Sequence, residues 1–394
     1  MSAPAIQRPR TPAAPQTAIS RSVPLPSRAL DGLRKVAAAL ASPLVPSDYL
    51  DLFDPLRAGA DLRGRVVSVT RETPDAVTTT IRPGKGWLGH TPGQYIRIGV
   101  DIDGVRQWRA YSLTSLTHDT ASESGSDGLI SITTKAIPDG KVSCFLNAGG
   151  LTPGTLVHLD QATGDFTLPR IAPAKVLFIT AGSGITPVIG MLRNRLAELP
   201  DVTHLHVAPT AEAVLFRNEL QAYAGAQASN PRLDGNYRLV ERHDDVHGYL
   251  DLARDLDALV PDWRERQAWV CGPTGLLDAA EGLWSTAELT EALHVERFRP
   301  TIIEGGEGGE ITFLGSDVTV DADGTTPILD AGEEAGVLMP SGCRMGICFG
   351  CVVTMRQGAV RDLRTGEITV AEPGDELPIQ TCINAVAGSC DLEL

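Results

Sequence analysis

Four cysteines constrain this chain more than any other feature: Cys343, Cys348 and Cys351 follow one another as C-x4-C-x2-C, and Cys382 comes later. Gly342, Gly346 and Gly350 interleave the first three. Glycine lets a loop wrap a bound group closely and turn its backbone N–H groups toward negatively charged sulfur. The chain holds 7 cysteines, an odd number, so the crowded four read as metal ligands in a reducing compartment rather than as a disulfide framework. A cytoplasmic location follows as the expectation. The alternatives are a structural zinc site, which more usually takes two separated CxxC pairs, and unrelated buried thiols. Cys144 and Cys390 stand outside the pattern and read as small buried apolar residues.

The ligand order is that of a plant-type 2Fe-2S site. The 394 residues, 42% hydrophobic and 21% charged, are enough chain to place such a site in one of two or three domains. A net charge of -15 excludes a general nucleic-acid binder, because phosphate binding needs a basic surface. No apolar run approaches the roughly 20 residues that span a bilayer, and the first thirty or so lack the apolar stretch of a secretory signal. The chain is therefore expected neither to span a membrane nor to be exported. Residues 1–28 carry Arg8, Arg10, Arg21 and Arg28 and no acid; they read as a disordered tail, with a transit peptide as the alternative.

Residues 29–61 have helix-like apolar spacing broken by Pro43 and Pro46, which predicts a short helical arm. From 62 to 170, short β-rich runs (Val66–Val69, Ala76–Ile81, Tyr95–Val100, Trp108–Ser112, Leu129–Thr134, Leu156–Leu159) alternate with turn residues, the pattern of a small antiparallel β-barrel. From 171 to 300, strand and helix patterns alternate, which predicts an α/β domain with a parallel sheet. The run Glu304–Glu310 has the composition of a flexible linker, set at 301–309, and 310–394 form a third unit.

Two further constellations carry chemistry. Arg109-Ala110-Tyr111-Ser112-Leu113 ends a predicted barrel strand, and Gly140-Lys141-Val142-Ser143 begins a predicted helix. An arginine can clamp a pyrophosphate, a tyrosine ring can pack on an isoalloxazine, and a serine at a helix start can bind phosphate with free amides. A strand arginine and a routine N-cap serine are the plain alternative. Gly182-Ser183-Gly184-Ile185-Thr186-Pro187 sits between a predicted strand and helix, where a dinucleotide pyrophosphate can approach the backbone. Trp269-Val270-Cys271-Gly272-Pro273-Thr274-Gly275 repeats that arrangement.

In this order, the motifs resemble those of the ferredoxin-NADP reductase superfamily fused to a C-terminal plant-type ferredoxin, over about residues 62 to 394. The resemblance implies three folds: a flavin-binding antiparallel barrel, a parallel-sheet nucleotide domain and a β-grasp ferredoxin domain. It also implies FAD, a 2Fe-2S cluster and NADPH or NADH as co-substrate, with electrons passing from NAD(P)H to FAD to the cluster. Arg109 would hold the FAD pyrophosphate, with Ser143 and its turn (Gly140, Lys141, Val142) completing the phosphate site. Tyr111 would pack on the isoalloxazine, and Ser112 would lie near N5, followed by Leu113. Gly182, Gly184 and Thr186 would line the dinucleotide site, and Cys271 and Gly272 would lie near the nicotinamide. Glu296 would act with Ser112 and Cys271 at the hydride-transfer end. Phe298 stands where the plant enzymes end in a flavin-covering tyrosine, but this chain continues.

A narrower resemblance is to actinobacterial reductases serving membrane fatty-acyl desaturases, carried by 42–52, Arg82-Pro83-Gly84 and Pro92-Gly93-Gln94-Tyr95. Soluble oxygenases are the other acceptor class. A redox sensor or passive electron-transfer subunit is the alternative function. The second strand of the α/β domain ends His206-Val207-Ala208-Pro209-Thr210 without an acid. NAD-selective sites place a carboxylate there, whereas Thr210 and Arg217 could take a 2'-phosphate, so NADPH is favoured.

Overall fold

Alternating apolar and polar residues give six strands, β1 (Arg63–Thr73), β2 (Ala76–Pro83), β3 (Tyr95–Ile102), β4 (Val105–Ser112), β5 (Ile130–Lys135) and β6 (Leu156–Leu159). All pair antiparallel in the order β4-β3-β6-β1-β2-β5. A bridge between Leu113 and Ile132 joins the end of β4 to β5 and closes the sheet on itself. Val66, Ile81, Ile96, Ile98 and Ile132 fill the interior, and Val142 and Leu146 of helix α1 (Lys141–Asn147) plug it. The computed structural model describes residues 53–57, 61–117, 128–138, 140–225, 236–298 and 306–394. The expected tail and nearly all of the expected arm lie outside the described residues.

The second layer is a parallel sheet of β7 (Val176–Ala181), β8 (Val202–Ala208), β9 (Tyr237–His243), β10 (Gln267–Cys271) and β11 (Leu293–Glu296), ordered β11-β10-β7-β8-β9. Helices α2 (Ile185–Arg195), α3 (Arg217–Gly225), α4 (Asp244–His247), α5 (Leu252–Leu259) and α6 (Thr274–Thr286) connect the strands. Strand order reverses between β7 and β10, so the carboxyl ends of those two strands flank a crevice, where such sheets bind ligands. Phe178, Trp269 and α2 form a core on one face that also includes Phe166 and Leu168, which follow the barrel; Leu177, Val270, Leu277 and Trp284 form the core of the other.

Helix α2 is fastened to the chain that follows the flavin motif. Arg193 Nη1 donates to Thr114 O (2.5 Å) and Asn194 Nδ2 to Ser115 O (3.0 Å), while Asn194 Oδ1 accepts from Thr117 N (2.7 Å). Gly190 permits this approach, since a Cβ there would lie against Leu113 O at 2.5 Å.

The third unit has β12 (Gly306–Phe313), β13 (Val318–Gly324), helix α7 (Ile328–Glu334), β14 (Val352–Asp362), β15 (Ile368–Ala371), β16 (Leu377–Gln380) and β17 (Asn384–Leu392). The sheet runs β13-β12-β17-β14-β15, with β16 on β14, and β12 is parallel to β17. This mixed sheet with a packed helix is the expected β-grasp. The expected linker is corrected in part: Gly306–Glu310 belong to β12. Their glycines serve close packing, because a Cβ on Gly309 would overlap Gly388 O and the register slips between Gly306 and Gly309. Residues 301–305 lie outside the described residues.

Gly190→Val is expected to destabilise the protein by roughly 1–3 kcal/mol through overpacking; the midpoint of urea unfolding checks this.

Candidate functional site

Arg109, Tyr111, Ser112 and Leu113 end β4 at the barrel's closing seam. Arg109 Nη1 donates to Trp108 O (2.7 Å), and among the described residues no carboxylate pairs with its guanidinium. Burial, then the neighbouring Arg344, lowers its pKa to about 10. A half-buried cation without an acid partner suits an anionic ligand. Ser112 is buried and its Oγ has no hydrogen-bond partner, an orphaned polar atom that a bound group would satisfy. Burial also raises the Tyr111 pKa, keeping the phenol neutral beside the barrel core. These features fit a flavin with its pyrophosphate.

The Gly140–Ser143 turn differs from expectation in one respect. Ser143 Oγ donates to Gly140 O (3.1 Å) and accepts from Ile137 N (3.3 Å), so its hydrogen is engaged within the loop. The donors left for a phosphate are the first-turn amides of Lys141, Val142 and Ser143, which no helix bond satisfies. Cys144, expected buried, is exposed, its thiol bonded to Ile137 O (3.3 Å): it falls on the outer face of α1. Cys390 is buried as expected.

The nucleotide turns are nested. Gly182 has φ 54, a conformation open to glycine without steric cost, and a Cβ on Gly184 would overlap Cys271 O. Gly272 lies against Ala181, and Thr186 Oγ1 donates to Ser183 O (2.9 Å). Thus Gly182, Gly184, Thr186, Cys271 and Gly272 gather at the crevice between β7 and β10.

Register then produces a row that sequence alone did not show: Glu296, Cys271, Thr180, His206 and Glu241 are neighbours across β11, β10, β7, β8 and β9. Burial raises the Glu296 pKa to about 8, and its Oε2 is buried without a partner. Burial, and then Glu296, holds the Cys271 thiol well above its ordinary pKa. Thr180 Oγ1 lies 2.7 Å from both His204 Nε2 and His206 Nδ1, and His204 Nδ1 lies 2.8 Å from Tyr237 Oη. Burial lowers both histidine pKa values, that of His206 to about 3, and His206 Nε2 is buried with no partner. At the far end Arg217 Nε pairs with Glu241 Oε1 (3.0 Å), which also bonds His243 Nε2 (2.9 Å). The arginine offered for a 2'-phosphate is therefore partly neutralised. Thr210 precedes the short turn after β8, its side chain hydrogen-bonded to Glu212 rather than capping the turn. Two histidines at alternate positions of a wholly buried strand were the available signal for this row.

The four cluster cysteines form two pairs. Cys351 Sγ and Cys382 Sγ are 3.1 Å apart, and Cys343 and Cys348 are in hydrogen-bond contact. The amides of Cys343 and Gly350 donate to Cys348 Sγ (3.2 and 3.4 Å), and that of Met345 to Cys343 Sγ (3.3 Å). Among the described residues no group of three or more His, Cys, Asp or Glu closes round a single ion. Two thiol pairs suit two irons better than one tetrahedral zinc. In each pair one thiol is favoured as thiolate by its mate, Cys348 by Cys343 and Cys351 by Cys382.

The cluster loop approaches the barrel at β3, where a Cβ on Gly342 would stand 3.2 Å from Arg97 Nη2. Burial raises the pKa of Tyr95, the first residue of β3, to about 12, and Cys343 and Glu296 add to the rise. Phe298 packs beside the core shared by barrel and nucleotide sheet.

Comparison with known proteins agrees. Residues 66–168 match the oxidoreductase FAD-binding domain, 178–282 the oxidoreductase NAD-binding domain, and 311–386 the 2Fe-2S iron-sulfur cluster binding domain. The chain belongs to the ferredoxin-NADP reductase superfamily, in the branch that carries a C-terminal 2Fe-2S domain. It is similar to an NADPH oxidoreductase of Mycobacterium tuberculosis, 48% identical over 366 residues and 92% of each chain. It is also similar to a glycine betaine monooxygenase reductase subunit of Pseudomonas aeruginosa, 29% identical over 81% of this chain and 91% of that one. Phthalate dioxygenase reductase shares the fold, with TM-score 0.53 and 19% identity over 84% of this chain and 97% of that one. The protein is an NAD(P)H oxidoreductase that uses FAD and a 2Fe-2S cluster to carry electrons. Among the described residues no helix is long and apolar enough to cross a membrane.

Glu296 is neutral in the folded protein up to about pH 8, but an unfolded glutamate ionises above its ordinary pKa of 4.5. Its raised pKa therefore costs stability progressively as pH rises from 4.5 to 8. Glu296→Gln removes that cost, so the stability of the variant relative to the wild type is expected to climb across this window, by at most about 1.4 kcal/mol per pH unit. Urea midpoints at a series of pH values measure it.

Proposed function

We propose that this oxidoreductase prefers NADPH and delivers single electrons from its cluster to an oxygen-activating partner. The observation that carries the reading is the close joining of the barrel to the nucleotide sheet at Leu113 and Gly190, and to the cluster loop at Arg97 and Gly342. FAD supplies the conversion of a two-electron hydride donor into one-electron steps; the protein supplies position, dryness and charge.

Arg109 and the first-turn amides of α1 would neutralise the flavin pyrophosphate. Tyr111 would give the ring a neutral aromatic wall, and the unpartnered Ser112 hydroxyl would offer it a hydrogen bond. The nested turns at Gly182–Gly184 and Cys271–Gly272 admit the coenzyme backbone. Glu296 and Cys271, both held neutral by burial, keep the nicotinamide end free of fixed charge, so no side chain there competes with the cationic oxidised ring or traps the hydride donor. Cys343, Cys348, Cys351 and Cys382 are the cluster ligands in this reading, two to each iron.

Three observations support the preference for NADPH. The Mycobacterium relative bears the name NADPH oxidoreductase, β8 ends without an acid, and Thr210 and Arg217 flank that end. Reductase subunits of monooxygenases among the relatives support an oxygenase as acceptor. Leu338, Ile347 and Phe349, exposed around the cluster loop, offer such a partner an apolar rim. A fatty-acyl desaturase is the narrower possibility. Its motif at 42–52 lies outside the described residues, and the other two have structural reasons: Gly84 N donates to Arg63 O (2.7 Å), and a Cβ on Gly93 would overlap Phe166 O.

Anaerobic titration with each coenzyme, following flavin bleaching and the iron-sulfur band separately, tests this directly. NADPH is expected to reduce flavin and then cluster, with the higher kcat/KM. If neither coenzyme bleaches the flavin, the passive-subunit reading takes its place. Ser112→Ala should slow flavin reduction roughly 5- to 150-fold, the loss of one hydrogen bond of about 1–3 kcal/mol. Arg217→Ala should raise KM for NADPH about tenfold and leave NADH unchanged, as loss of one charge-assisted bond predicts.

A further inference from the structure

Arg97 reaches the cluster loop from the barrel. It lies in β3, two residues beyond Tyr95, with its side chain 17% exposed and Nη1 paired to Asp160 Oδ2 at 3.0 Å. The guanidinium Cζ stands 5.1 Å from the Trp108 ring centroid, which fixes the plane of the group. Its Nε is buried without a hydrogen-bond partner.

Nη2 faces the two glycines that flank the first ligand pair. A Cβ on Gly342 would stand 3.2 Å from Nη2 and would overlap Cys348 Sγ; one on Gly350 would stand 3.5 Å from Nη2 and 3.4 Å from the same sulfur. Any side chain at Gly342 would come between the guanidinium and the thiolate. Arg344, the arginine of the loop itself, is engaged by both Asp330 and Glu333, and Arg364, whose Nη1 a Cβ on Gly346 would meet at 2.7 Å, is held at two points by Asp362. Among the described residues Arg97 pairs with one acid, and that acid is 43% exposed. Arg97 is thus the least compensated of these three.

One-electron reduction adds one negative charge to the cluster and needs no proton. A cation held close in a poorly solvated site stabilises that charge far more than water-screened surface charges do. We infer that Arg97 is a positioning residue for electron transfer: through its charge, applied across the domain boundary, it raises the reduction potential of the cluster while the ferredoxin domain is seated on the barrel. The inference rests on the four cysteines holding the cluster. Asp160 opposes the effect, since it partly neutralises the guanidinium. By linkage, reduction in turn tightens the seat.

The test is a redox titration of the intact holoprotein followed by electron paramagnetic resonance, on the wild type, Arg97→Gln and Asp160→Asn. Arg97→Gln is expected to make cluster reduction about tenfold less favourable, about 59 mV for one electron, and Asp160→Asn to make it more favourable. A structural disturbance would move both variants the same way. An Arg97→Gln potential that does not fall, or an Asp160→Asn potential that does not rise, overturns the inference. If Arg97→Gln does not retain its cluster, Asp160→Asn alone decides, by the same sign. A wild type with no iron-sulfur signal would instead overturn the cluster reading itself, so the two failures are distinguishable.

Discussion

The bonds from Arg193 and Asn194 to the chain just beyond Leu113 fix how two binding sites face each other. Helix α2 starts at the nucleotide turn, and Leu113 ends the flavin motif. A single eleven-residue helix therefore carries the geometry from one ligand to the other. Arg193 is itself braced by a two-pronged pair with Glu219 and by its stack over Phe216, 4.9 Å from guanidinium to ring centroid. Hydride transfer tolerates little misplacement, which gives a reason for so many bonds at one seam. The core continues through that seam, from Phe166 and Leu168 into α2 and β7.

Around that frame, neutral and charged groups fall in different places. The acid and the thiol that end β11 and β10, Glu296 and Cys271, are both neutral, and burial is the leading cause for each. Cations, Arg109, Arg97 and Arg344 among them, instead lie toward the end of β4 and the cysteine loop. A protein that moves electrons through a dry junction gains from this division, because an uncompensated charge in the path would bias whichever redox state carried the opposite sign.

What the sequence revealed and what it concealed divide along physical lines. The barrel strands were legible because a half-buried strand alternates every second residue, and all six predicted runs became β1 to β6. The cluster loop was legible because its ligands are close in sequence. The glycine run was misread in part: composition cannot distinguish a glycine that loosens a chain from one, such as Gly309, that lets two strands cross closely. Cys144 was misplaced because the face of a short helix depends on what it caps. The engagement of Ser143 depends on a loop that folds back, and that of Arg217 on a partner one strand away. The part played by Tyr95, Arg97, His206 and Glu241 was not legible because it comes from register and domain contact, which bring together residues far apart in the chain.

The chain Tyr237–His204–Thr180–His206 has a further consequence. Both imidazoles are neutral, each with a single ring hydrogen, and the threonine hydroxyl has one hydrogen to share between two ring nitrogens. If His206 Nε2 carries a hydrogen, Nδ1 accepts from Thr180, Thr180 accepts from His204 and His204 accepts from Tyr237, so a single arrangement satisfies every link. If Nε2 presents a lone pair, Nδ1 donates to Thr180, whose hydroxyl can then either donate to His204 or accept from it as well, and two arrangements remain. A ligand atom that accepts a hydrogen bond from His206 would therefore set every proton as far as β9, whereas one that donates would leave the far half of the chain able to reverse.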